Sequence, residues 1–244
     1  MADSGQQTSP DRPQVPPSGA PARRRSSLLA PKNLYLVAYN FTSAILWATI
    51  LGRVLLVSFV WWGPRYLPVA VGSFSRWTQT LAALEILHAA VGLVRAPVVT
   101  TGMQVASRLL LVWGIVDRYG RYIFDAGQGW GWGGEVWYAS MLIAWSVTEV
   151  IRYGYFATLL STGRVGGVLM WLRYNAFYVL YPLGITSECM LIWKAIPAAR
   201  SQNLAFEYIL KLILFIYIPG SYVLFTHMMA QRRKVMRGKA QKEA

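Results

Sequence analysis

An all-α integral membrane fold, a bundle of six transmembrane helices, is what this sequence predicts, and three observations carry the prediction. Charged residues make up 14% and hydrophobic residues 55% of the 244-residue chain, whereas soluble domains carry about 25% charged residues. The mean hydropathy is +0.36, and long apolar runs recur after a polar start. The basic residues gather at the two ends: Arg23, Arg24, Arg25 and Lys32 before the first apolar run, and Arg232, Arg233, Lys234, Arg237, Lys239 and Lys242 after the last. A spanning helix needs about 20 predominantly apolar residues, so the chain beyond its polar start has room for about six with short loops. Any active site is then built from the helices and their connections.

Taken in order, the first 30 residues are rich in Pro, Ser, Gly and Gln. Such a composition buries too little surface to order itself, which predicts a disordered cytoplasmic tail over residues 1–33. The tail is too polar to be a cleavable signal peptide, so the first apolar run is expected to act as an uncleaved anchor. The membrane domain is expected over residues 34–230 and a basic cytoplasmic tail over 231–244. Within the domain the predicted spans are 34–62, 76–94, 98–116, 136–160, 168–193 and 206–229. Gly63, Pro64 and Pro68 end the first, Pro97 separates the second from the third, and residues 127–134 form a Gly/Trp-rich loop. Residues 163–167 make the next turn, and Pro197 with residues 201–203 marks the last connection. Trp61, Trp62, Trp77, Trp130, Trp132 and Trp137 fall near the proposed interfaces, where amphipathic rings prefer to sit.

An even number of spans puts both basic ends on one side. The opposite side receives only Arg65, Arg76, Arg118, Arg121, Lys194 and Arg200, so both termini are expected to be cytoplasmic. The same distribution disposes of a nucleic-acid partner, which the formal charge of +14 would otherwise invite. Basic ends flanking apolar spans are juxtamembrane segments facing anionic lipid.

Other chemistries find little support. The single cysteine, Cys189, excludes an intrachain disulfide and a thiolate metal cluster. Glu85-x-x-His88 has the spacing of a di-iron ligand pair, but such a site needs a second pair and further glutamates, and no glutamate stands three residues before His227. A phosphatase loop built on Cys189 would want an arginine where Ala195 stands. No phosphate-binding or dinucleotide-binding glycine motif is present. No cofactor and no metal are expected, and Glu85 and His88 are read as structural.

The polar groups inside the predicted spans are more informative. Gln104 and Arg108 lie one turn apart, and Glu149 and Arg152 are spaced to pair along one helix face. Ion pairs of this kind neutralise each other and knit a bundle together. Tyr181 and Glu188 differ, because no cation stands one turn from Glu188. Seven residues put the phenol and the carboxyl on one helix face, roughly 10 Å apart along the axis. A glutamate at membrane depth is costly unless it faces protein or a water-filled cavity. Between the two, Pro182 removes a helical hydrogen bond and Gly184 admits a close neighbour, so a kink that makes room for a substrate is expected.

The segment from Trp171 to Glu188, WLRYNAFYVLYPLGITSE, resembles the signature of the very-long-chain (3R)-3-hydroxyacyl-CoA dehydratases, a family also called protein tyrosine phosphatase-like. The resemblance extends to Leu84–Arg95, Gln104–Arg108, Trp145–Tyr153, Ile218–Gly220 and Met228–Lys234, in order and with compatible spacing. It implies a six-span protein of the endoplasmic reticulum membrane that dehydrates 3-hydroxyacyl-CoA to trans-2-enoyl-CoA, the third step of fatty-acid elongation. The family's catalytic pair falls on Tyr181 and Glu188, and its supporting residues fall on Gln104, Arg108, Glu149, Arg152, Arg173 and Gly184. The partners implied are long-chain 3-hydroxyacyl-CoA, membrane lipid and other elongation enzymes. The Pro/Ser-rich tail is unlike the family core, and the C-terminal end lacks a clean dilysine retrieval signal.

The reaction needs a base for the proton on carbon 2 and an acid for the departing hydroxyl on carbon 3. Burial disfavours an anion, and a neutral Glu188 suits proton donation, with Tyr181 as base assisted by an arginine such as Arg173. The reverse assignment, Glu188 as base and Tyr181 as donor, also satisfies the residues. The acyl chain is expected between helices, with the CoA phosphates at the cytoplasmic mouth near Arg95, Arg164, Arg232 and Arg233. A lipid transporter and a non-enzymatic scaffold are the other classes that bury such charges.

Overall fold

The computed structural model describes residues 30–61, 63–124 and 133–243. Residues 1–29 of the tail expected over 1–33, Trp62, Trp130, Trp132 and most of the 127–134 loop lie outside them, while residues 31–33 open the first helix. Among the described residues every regular element is helical.

Helix α1 runs Pro31–Leu55 and continues through one π-helical stretch, Leu56–Trp61. Pro31 sits in its first turn, where a missing N–H costs nothing. A 3₁₀ turn, Pro64–Tyr66, leads into α2, Leu67–Thr80, and a turn at Leu81 and Ala82 precedes α3, Ala83–Ala90. Helix α4, Val98–Leu109, passes through a π-helical stretch, Leu110–Asp117, into α5, Arg118–Ile123. Then come α6, Gly134–Thr162, and α7, Gly167–Asn175, followed by α8, Phe177–Gln202, and α9, Leu204–Glu243. Gly163, at φ 69°, closes α6 in the left-handed conformation that a glycine adopts without steric cost.

Helix α6 is the centre of the bundle. Its Tyr138, Met141, Leu142 and Trp145 pack with Trp47, Ile50 and Val54 of α1 and Leu191, Ile192 and Ala195 of α8 in one buried core. Residues on almost every side of α6 are buried, including Ser146 and Glu149, so its polar groups meet protein rather than lipid. Helix α9 packs against α8 and turns the other way: Phe215, Ile218 and Tyr222 are about 70% exposed. An apolar face of that extent is a liability in water and an ordinary surface in a bilayer.

Among the described residues, four stretches are long and apolar enough to cross a membrane: Pro31–Trp61, Val98–Ile123, Phe177–Gln202 and Leu204–Arg237. The remaining two expected spans are also helical but differ in character. The segment expected at 76–94 begins at Leu67 and is broken at Leu81, because Pro68 falls in the first turn of α2 and starts a helix instead of ending one. Helix α6 is 29 residues long and carries Glu135, Glu149 and Arg152.

Pro197 of α8 also departs from expectation, lying inside a helix rather than in a connection. The helix continues through both Pro182 and Pro197, each of which forfeits one backbone bond inside a helix held by its neighbours. The interruption lies earlier, at Ala176 between α7 and α8.

Candidate active site

Helices α3, α4, α6, α7, α8 and α9, with Gln79 at the end of α2, surround a cavity of about 790 Å³. Arg95, just before α4 begins, and Gln231, late in α9, line it together with Trp145 and Glu188. Tyr181, Gly184 and Glu188 all face it from α8, as the spacing on one helix demands. Gln104 and Arg108 line it from α4, Glu149 and Arg152 from α6, and Arg173 from α7. Eight residues singled out on three separate stretches of sequence thus surround one chamber, together with Arg95.

Glu188 makes no ion pair among the described residues. The Trp145 indole Nε1–H donates to its Oε1 at 2.8 Å, and the Tyr217 hydroxyl donates to its Oε2 at 3.0 Å. These donors come from α6 and α9, so the carboxyl is held across three helices. The Tyr181 hydroxyl donates to the backbone carbonyl of Ser221 on α9 at 3.1 Å. Gly184 is buried, and a Cβ there would lie 3.7 Å from that of Ala144, so α6 and α8 approach closely beside the pair.

Around this pair runs a ladder of alternating charge. Arg108 of α4 bonds Glu149 Oε1, and Arg152 Nε donates to Glu149 Oε2 at 2.6 Å. Arg152 then forks onto Glu85 of α3, its Nη1 and Nη2 at 3.0 and 2.7 Å from the two oxygens. The Tyr153 hydroxyl adds a bond to Glu85 at 2.5 Å. Two guanidinium groups and two carboxylates cancel, which is the condition for charge at membrane depth. The Arg108 guanidinium also lies 4.9 Å from the Trp145 ring centre, so the ladder touches the residue that holds Glu188.

The remaining assignments divide. Arg173 lines the cavity, but its guanidinium stacks over Tyr155 and Phe156 at 4.3 and 4.7 Å. Arg232 is not in the wall; its Nε donates to Asn175 Oδ1 at 2.9 Å. Arg164 and Arg233 are exposed outside the cavity. Glu85 and His88 separate: Glu85 joins the ladder, whereas His88 is buried with Nε2 2.8 Å from the Tyr35 hydroxyl. Trp145 was legible as a cavity residue, since it precedes Glu149 and Arg152 by four and seven on one helical stripe. Tyr217 carries no such signal, because its partner lies on another helix.

A family model described as protein tyrosine phosphatase-like protein, PTPLA, matches residues 79–238. The chain belongs to the PTPLA family. Among curated relatives, a Schizosaccharomyces pombe protein named probable very-long-chain (3R)-3-hydroxyacyl-CoA dehydratase is 40% identical over 205 residues, covering 82% of this chain and 92% of its own. The Oryza sativa subsp. japonica very-long-chain (3R)-3-hydroxyacyl-CoA dehydratase PASTICCINO 2A is 37% identical over 220 residues, 85% and 95% of the two chains. The Caenorhabditis elegans protein of the same activity name, hpo-8, is 35% identical over 224 residues, 86% and 97%. No solved structure matches the chain. The PTPLA match takes in every residue that lines the cavity, from Gln79 to Gln231.

Proposed function

We propose that the protein removes water from (3R)-3-hydroxyacyl-CoA to give trans-2-enoyl-CoA, the dehydration step of very-long-chain fatty-acid elongation. The observation that carries the reading is that Tyr181 and Glu188 line one cavity between the helices in a chain whose relatives bear that activity's name. Elimination breaks the C2–H bond, moves its electron pair into the new double bond, and breaks the C3–O bond as the hydroxyl takes up a proton and leaves as water. No redox partner enters this balance. We take Glu188 as the base and Tyr181 as the donor, an assignment that the hydrogen bonds allow. Both oxygens of Glu188 accept bonds, as a carboxylate does, and the Tyr181 O–H is available to the leaving hydroxyl once it turns from Ser221. Gln104, Arg108, Glu149, Arg152, Arg173 and Gly184 support the pair by shaping and neutralising the chamber.

The acyl-CoA enters with its phosphates at the Arg95 end of the cavity. Arg232, Arg233 and Arg164 lie outside the wall and extend the basic rim toward the phosphates. The domain 34–230 crosses the endoplasmic reticulum membrane six times, counting α2–α3 and α6 with the four apolar helices. Both termini are cytoplasmic, and other elongation enzymes are its partners. The test is a dehydratase assay on purified protein. Wild type converts 3-hydroxyacyl-CoA, while Tyr181→Phe and Glu188→Gln each lose at least about 100-fold in kcat, the upper range for a positioned acid or base being about 10⁴. A wild-type protein with no turnover would overturn the reading in favour of a scaffold, and variants that retain turnover would overturn the assignment of Tyr181 and Glu188.

A further inference from the structure

Of the two groups that hold Glu188, only one can change its hydrogen-bonding role. An indole N–H is a donor and nothing else, so Trp145 requires Oε1 to be an acceptor throughout. A phenolic hydroxyl both donates and accepts, so Tyr217 can serve Oε2 whether or not that oxygen carries a proton. The two bonds approach from different helices and together fix the rotation of the carboxyl about its last bond. That fixation leaves the carboxyl presented to the cavity that it lines.

We propose that Tyr217 is a positioning residue for Glu188, donating a hydrogen bond to the carboxylate and accepting one from the carboxyl O–H when that group is protonated. The inference rests on the dehydratase reading for its kinetic consequence, but not for the Tyr217–Glu188 pairing itself. In the cycle, the C2 proton passes to Glu188, which becomes a neutral acid. Where that proton rests on Oε2, the Tyr217 hydroxyl rotates from donor to acceptor and its oxygen receives the new O–H. When Glu188 gives up that proton to restore the Tyr181 hydroxyl, which lost its own proton to the departing water, the bond returns to its first sense. No oxidant, metal or second substrate takes part, and Tyr217 ends each turnover unchanged. Trp145 keeps the carboxyl in place while this happens.

Tyr217→Phe removes only the hydroxyl and keeps the ring that packs against the core. Purified Tyr217→Phe is expected to lose about 10- to 100-fold in kcat, the equivalent of one hydrogen bond to a charged group, with KM within about twofold of wild type. Independently of turnover, Tyr217→Phe is expected to lower Tm in the wild-type background and to have no effect on Tm in a Glu188→Leu background, since contacting residues couple. Unchanged kcat in Tyr217→Phe, or equal Tm losses in both backgrounds, would overturn the proposal. A wild-type protein that shows the coupling but no dehydratase turnover would instead count against the functional reading alone.

Discussion

Tyr217 and Ser221 stand four residues apart on α9 and hold the two proton-bearing groups of α8, Tyr217 bonding Glu188 and the Ser221 carbonyl accepting from Tyr181. One turn of one helix therefore sets the spacing of both candidate catalytic groups. A shift of α9 along its axis moves both partners together, which keeps their separation while changing their register against the rest of the cavity.

The charge ladder predicts a large stability effect at its central arginine. Arg152→Ala removes the partner shared by Glu85 and Glu149 and leaves two carboxylates in a largely enclosed site. A loss of about 3–5 kcal/mol is expected, read as a sharp fall in Tm of the detergent-solubilised protein. Arg152→Lys should recover little, because an ammonium cannot reproduce the forked geometry.

Gln79 should behave in the opposite way. It is 1% exposed, and both its amide nitrogen and its amide oxygen are buried without a partner. Gln79→Leu exchanges these unmet groups for apolar volume, so Tm is expected to hold or rise. A clear fall in Tm would mean that the amide is bonded in the native protein.

Gly184 offers a graded steric test. A methyl group there meets Ala144 at ordinary contact distance, so Gly184→Ala should fold and retain most activity. Gly184→Leu projects further into the cavity or wedges α6 from α8. It is expected to abolish turnover and lower stability by about 1–3 kcal/mol, measured by assay and thermal unfolding.

The cavity separates the basic residues proposed to meet the CoA phosphates. Arg95 lines the wall and Arg233 does not, so Arg95→Glu should raise KM roughly tenfold or more with kcat little changed, through lost uniform binding. Arg233→Glu should raise KM much less. Equal effects at both positions would place the phosphates along the basic rim instead.

What the sequence revealed, and what it did not, follows from the range of each physical signal. Tyr181 with Glu188 and Glu149 with Arg152 were readable because helical periodicity links residues three, four and seven apart. The bonds that complete the site join residues 41, 67 and 29 apart, Arg108 to Glu149, Arg152 to Glu85 and Tyr217 to Glu188, and no periodicity spans those gaps. Prolines misled in both directions: Pro68 opens a helix read as a loop, and Pro197 sits inside one. A proline excludes one backbone bond, and its neighbours in three dimensions decide whether a helix ends there.

The ladder of Glu85, Arg152, Glu149 and Arg108 has a consequence for biogenesis. Chain order sends α3 and α4 out of the ribosome before α6, so Glu85 and Arg108 reach the translocon while their counter-ions are still unmade. Each stays unpaired until α6 arrives with its own Glu149–Arg152 pair and accepts both at once. The last-made partner thereby completes the electrostatics of the first, and burial of α3 and α4 in apolar surroundings ahead of α6 is disfavoured by their own charge.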